Sequence, residues 1–144
     1  MTDAANVRQN PGSVQNPAPP SGTVLLVDDE LMIRRLGARI LEKAGYRVIV
    51  AGDGAEGVDI YRQRAAEIDV TILDMNMPGM DGVETMTRLK AEFPNIKVLI
   101  STGHSMDGEL KRMQCEGTFG LLQKPYRADD LREKVREAMA NVKA

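Results

Sequence analysis

From Thr23 onward, short apolar runs alternate with stretches whose apolar residues recur at helical spacing. The runs TVLLV (23–27), YRVIVA (46–51), VTILD (70–74), KVLIST (97–102) and TFGLLQ (118–123) read as five strands. A helix over 31–44 carries Ile33, Leu36, Ile40, Leu41 and Ala44 on one face, and Gly45 supplies its stop. Further helices are predicted over roughly 54–66, over 82–92 before Pro94, and near 106–116, where Gly108 weakens the propensity. Leu131, Val135, Ala138, Met139 and Val142 form the apolar stripe of a last helix.

Five apolar strands, each followed by a helix, predict an α/β fold: a parallel sheet covered on both faces and joined by right-handed crossovers. In such sheets ligands bind beyond the carboxyl ends of the strands. The residues directly after each strand are therefore the candidate chemistry.

Residues 1–22 stand apart. They hold four of the seven prolines, two charged side chains (Asp3 and Arg8) and almost no apolar periodicity. Such a segment cannot offset its ordering entropy and reads as a disordered tail or linker, leaving 23–144 as one domain. The net charge of −2, with no basic block, argues against a nucleic-acid surface. A single cysteine, Cys115, excludes an internal disulfide and suits a reducing compartment. No apolar run approaches the ~18–20 residues that span a bilayer, and no secretion signal opens the chain, so no membrane association and a cytoplasmic location are expected.

Strand one ends in Asp28, Asp29 and Glu30, strand three in Asp74, strand four in Ser101 and Thr102, and strand five in Lys124 and Pro125. The second strand runs into AGDG, which reads as an ordinary turn. Two like unit charges 4 Å apart repel by about 4 kcal/mol at an effective dielectric of 20, so gathered carboxylates need a proton or a cation. Aspartate oxygens suit Mg²⁺, which keeps several waters and leaves positions for phosphate oxygens. Carboxylates, a divalent cation, a lysine and a hydroxyl together suit phosphoryl transfer, with the central Asp74 as nucleophile.

The motifs LLVDDE (25–30), TILDMNMPGMDG (71–82), LISTGH (99–104) and LLQKPY (121–126) carry a resemblance to the receiver domain of two-component response regulators, over about residues 23–142. The resemblance implies a five-stranded flavodoxin-like (βα)5 sheet of order 2-1-3-4-5 with helices on both faces. It implies that Asp74 is the phosphoacceptor, that Asp29 binds Mg²⁺ directly, and that Asp28 acts mainly through water. The backbone carbonyl of Asn76 is implied as a further metal ligand, Thr102 as the hydroxyl that turns toward the phosphoryl group, and Lys124 as its cationic partner. The implied partners are a sensor histidine kinase or histidine phosphotransfer protein as donor and a downstream protein as target. A homodimer through the 106–116 helix, the fifth strand and the last helix is a further expectation. One position departs from the pattern. Leu121 stands where these domains carry Tyr or Phe, so coupling to that face is expected to weaken or to use Phe119 or His104.

Two other functions fit parts of the pattern. A haloacid dehalogenase-type phosphatase also uses an Asp nucleophile and Mg²⁺, but needs an acid two residues on, where Asn76 stands. A scaffold that is never phosphorylated would not need Asp28, Asp29, Asp74, Thr102 and Lys124 together. Asp81 reads as a helix N-cap, Met75, Met77 and Met80 as loop packing, His104 as an exposed loop residue, and Cys115 as a small packing residue.

Overall fold

The structure, a computed structural model, describes residues 22–103 and 120–140. The expected tail through residue 21, the helix near 106–116, the first two residues of the fifth strand, and His104, Gly108, Cys115, Phe119 and Val142 lie outside the described residues. The elements in order are β1 (Thr23–Val27), α1 (Leu31–Lys43), β2 (Arg47–Ala51), α2 (Gly54–Arg64), β3 (Val70–Asp74), α3 (Gly82–Glu92), β4 (Val98–Thr102), β5 (Gly120–Gln123) and α4 (Ala128–Ala140). The strands form one parallel sheet in the order β2-β1-β3-β4-β5.

Side-chain alternation along the strands splits the core into two apolar layers. Leu25, Val27, Leu73, Val98 and Ile100 meet Val58 and Tyr61 of α2 and Met86 and Leu89 of α3. Val24, Leu26, Ile72, Leu99 and Leu122 meet Ile40 and Leu41 of α1 and Leu131, Val135 and Ala138 of α4. Leu25, Leu26, Ile72, Leu73, Leu99 and Ile100 are fully buried, each worth about 1.5–3 kcal/mol of hydrophobic stabilisation. β2 departs from the expected two-sided cover. As the edge strand it leaves Arg47 and Val50 exposed and buries only Ala51. An apolar run alone does not tell a central strand from an edge.

The helix ends follow local chemistry. Asp81 caps α3 by accepting from the Glu84 N–H at 2.9 Å, as expected. The AGDG turn proves to be a cap as well: Asp53 accepts from the Glu56 N–H at 2.8 Å, and Glu56 accepts from the Gly52 N–H at 2.8 Å. α1 stops at Gly45, whose φ of 105° is a left-handed conformation that glycine adopts without strain. Met77 packs in the core, with Met75 and Met80 against it, which places the loop methionines as gap-fillers.

Gly82 fixes how closely α3 approaches the end of β3. A Cβ there would lie 2.4 Å from the Asp74 carbonyl oxygen and 3.0 Å from the Met75 Cα, both backbone atoms that cannot rotate away. Substitution Gly82→Ala should therefore destabilise the domain by about 1–3 kcal/mol, the usual cost of overpacking. Urea unfolding of the variant beside wild type measures it; an unchanged midpoint would show that α3 can shift without cost.

Candidate functional site

Beyond the carboxyl ends of β1, β3 and β5 the chain gathers its buried charges. Asp28 and Asp74 follow Leu26 and Ile72 by two residues, and so project toward the α1 and α4 side of the sheet. Both are almost wholly inaccessible, at 0 % and 1 %. The Asp28 N–H donates to the Ala51 carbonyl at 3.1 Å, and its own carbonyl accepts from Arg34 Nη1 at 2.7 Å. Its Oδ1 accepts from the Glu30 N–H at 2.9 Å, so the side chain is held at both ends.

Lys124 supplies the cation. Its Nζ lies 3.1 Å from Asp74 Oδ1, 3.2 Å from Asp28 Oδ2 and 3.3 Å from Glu30 Oε1. Its N–H donates to the Thr102 carbonyl at 2.8 Å, which ties β5's end to β4's. Asp74 Oδ1 also accepts from the Asn76 N–H at 3.3 Å, while Asp74 Oδ2 is buried with no hydrogen-bond partner. Asp29 is exposed, yet carboxylate oxygens of Asp28, Asp29 and Asp74 all lie within 4.8 Å of one another.

One ammonium thus faces more negative charge than it can balance. Burial, then the charge of Asp28, pushes the Asp74 pKa up to about 6, although Lys124 and the Asn76 N–H pull the other way. Burial alone would lower the Lys124 pKa, but the Asp74 hydrogen bond and the charges of Asp28 and Asp74 outweigh it and leave the ammonium firmly protonated. Both shifts have one origin, an excess of carboxylate in a dry place. The three aspartates, with an unpartnered buried oxygen on Asp74, form the kind of oxygen donor set that fits Mg²⁺.

The response regulator receiver domain profile matches residues 24–136 of the chain. This protein belongs to the receiver domain family. It is 36 % identical over 117 residues to sporulation initiation phosphotransferase F of Bacillus subtilis, covering 79 % of this chain and 90 % of that protein. It is 34 % identical over 119 residues to the sensor kinase CckA of Brucella abortus, covering 83 % of this chain but only 13 % of the kinase. Among solved structures, the CheX–CheY–BeF3–Mg complex of Borrelia burgdorferi superposes with a TM-score of 0.79 at 26 % identity, over 85 % of this chain and 90 % of that one. Receiver domains are signalling modules of two-component systems. No helix among the described residues is long and apolar enough to cross a membrane.

In this receiver domain the structure brings Asp28, Asp29, Asp74 and Lys124 into one group, as the motifs led us to expect. Asn76 reaches the group through its N–H. Thr102 is 3 % exposed at the end of β4 and joins through its carbonyl. It follows Ile100, so alternation turns its side chain to the sheet face opposite that of Asp74 and Ser101. Leu121, the departure in β5, is partly buried against the apolar layer under α2 and α3. Glu30 stood among the acids after strand one but was given no role; it is the third carboxylate on Lys124. Glu30 precedes α1 without capping it through its side chain, which reaches Lys124 instead.

The raised pKa has a sign that can be tested. Folded Asp74 holds its proton to a higher pH than the unfolded chain does, so its favourable contribution is complete below about pH 4 and is lost as the pH rises through about 6. In metal-free buffer, Asp74→Asn should therefore be more stable than wild type near neutral pH, with the difference shrinking as the pH falls toward 4. Urea midpoints across that range provide the check. A constant difference would mean that Asp74 is not under electrostatic strain.

Proposed function

We propose that this domain accepts a phosphoryl group on Asp74 from a phosphohistidine donor and changes conformation to regulate a partner. The observation that carries the reading is Asp74 itself: a fully buried carboxylate with one oxygen held by Lys124 and the Asn76 N–H and the other unpartnered. A carboxylate so held is oriented as a nucleophile. A new P–O bond forms on Asp74 as the P–N bond to the donor imidazole breaks. Lys124 lies within 3.1 Å of the same carboxylate and is placed to pair with the anion formed.

Asp28, Asp29 and Asp74, with the main-chain carbonyl of Asn76, are the groups that would hold Mg²⁺. When bound, the ion neutralises the carboxylates and the incoming phosphoryl oxygens. The Borrelia structure, which contains BeF3 and Mg²⁺, supports that assignment by similarity. A sensor histidine kinase or histidine phosphotransfer protein is the donor in this reading, residues 23–144 are the receiver, 1–22 a tail or linker, and the setting is cytoplasmic. Phosphorylation draws Lys124 from Asp28 and Glu30 toward the new anion, and Thr102, which faces away from Asp74 before phosphorylation, turns its hydroxyl toward the same anion.

Acetyl phosphate with Mg²⁺ should place one acid-labile phosphoryl group on the wild type and none on Asp74→Asn, measured by intact mass. Equal labelling of both would remove Asp74 as the acceptor. Lys124→Ala should still be labelled yet show a much smaller structural change, read from amide chemical shifts before and after labelling. A change as large as that of wild type would refute the role given to Lys124.

A further inference from the structure

Among the described residues four buried side-chain oxygens have no hydrogen-bond partner: Thr71 Oγ1, Asp74 Oδ2, Ser101 Oγ and Tyr126 Oη. Three of the four belong to one neighbourhood. Ser101 is the lateral neighbour of Asp74 in the β3–β4 register, and paired residues of adjacent parallel strands project to the same face. Ser101 follows Leu99, Asp74 follows Ile72, and both of those residues lie in the apolar layer to which Tyr126 also belongs. Ser101 is fully buried and Tyr126 is 6 % exposed.

Tyr126 and Ser101 thus belong to the same buried side of the sheet as Asp74. Burial pushes the phenol pKa up and the Ser101 hydroxyl pulls it back, with Asp28, Lys124 and Asp74 also felt. The phenol thus feels the Ser101 hydroxyl, yet neither Tyr126 Oη with Ser101 Oγ nor Ser101 Oγ with the Asp74 carboxylate meets the geometry of a hydrogen bond. We take them as near neighbours one small adjustment short of bonding, because a buried hydroxyl left unpaired costs about 1–3 kcal/mol. The ring itself has little freedom. A Cβ at Gly37 of α1 would lie 3.2 Å from Tyr126 Cε2, so α1 closes directly over the ring. A phenylalanine would fill the same apolar space, and only the hydroxyl is left to explain.

Chemistry sets the direction of any such chain. A carboxylate only accepts, whereas each hydroxyl can donate once and accept. We propose that Tyr126 and Ser101 are positioning residues forming a two-hydroxyl relay behind the phosphoacceptor: Tyr126 Oη–H donates to Ser101 Oγ, and Ser101 Oγ–H donates to the Asp74 carboxylate. The relay holds the carboxylate from the protein interior while Lys124 and the Asn76 N–H hold it from the loop side. It rests on the reading of Asp74 as the acceptor, and it adds a constraint on the orientation of the attacking oxygen.

The test uses Tyr126→Phe, Ser101→Ala, their double variant and Ser101→Thr, each with acetyl phosphate at saturating Mg²⁺. Each single variant should slow labelling by about 2- to 10-fold, as the loss of one ordinary hydrogen bond implies. The double variant should be no slower than the slower single one, because both remove the same relay. Ser101→Thr keeps the hydroxyl and should recover most of the rate. Unchanged rates, or single losses that multiply in the double variant, would overturn the relay. A second arm needs no phosphorylation: in metal-free protein, Ser101→Ala and Asp74→Asn should each move the Tyr126 Cζ resonance, and an unmoved resonance refutes the relay. A wild type that takes no label would remove the acceptor reading, while the resonance still decides the relay.

Discussion

A single ammonium set against three carboxylates is the constraint on which the site depends. Lys124 lies within 3.3 Å of Asp28, Asp74 and Glu30, and Asp29 stands close by. At such distances each like-charge pair costs several kcal/mol even at a dielectric of 20, and one cation cannot cancel them all. The cluster is therefore poised: it gains from any added positive charge, and Lys124 is shared among acids that a stronger anion could outcompete. That imbalance supplies both a reason to bind a divalent cation and, in the proposed phosphorylation, a reason for Lys124 to move.

The fold exists around that imbalance as a rigid frame. Asp28 and Asp74 emerge from strands whose preceding residues are wholly buried. Main-chain hydrogen bonds lace the strand ends together, Met75 to Ser101 at 2.8 Å and Lys124 to Thr102 at 2.8 Å. Gly82 lets α3 press on the Asp74 carbonyl, and Asp28 is held through both its main-chain groups. With the backbone so fixed, the charges cannot relax by spreading apart. The strain is resolved by protonation, by a cation, or by side-chain movement.

Much of this was legible in the residues alone. Hydrophobic periodicity located the described elements to within two residues, apart from the last helix, which begins three residues before its apolar stripe, since wholly buried strands such as β1, β3 and β4 and helices with clear stripes leave few alternatives. Acids and a lysine directly after strands led to Asp28, Asp29, Asp74 and Lys124, because a parallel sheet places those positions at one edge. What stayed hidden depends on contacts between distant positions. Glu30 could be placed next to Asp28 but not on Lys124, 94 residues away. Ser101 was legible as a hydroxyl at the end of strand four and Tyr126 as part of a motif, but the pairing of Ser101 with Asp74 and the closure of α1 over the Tyr126 ring depend on the β3–β4 register and on Gly37. The exposure of β2 follows from strand order, which periodicity does not encode.

The most direct measurement is the stability of the unphosphorylated domain as a function of Mg²⁺ concentration at neutral pH. A site made favourable by excess carboxylate should raise unfolding free energy with the logarithm of Mg²⁺ above its dissociation constant, and replacing Asp28 with Asn should flatten that rise. A wild-type stability indifferent to Mg²⁺, or an Asp28→Asn variant that responds just as strongly, would contradict the electrostatic reading of this site.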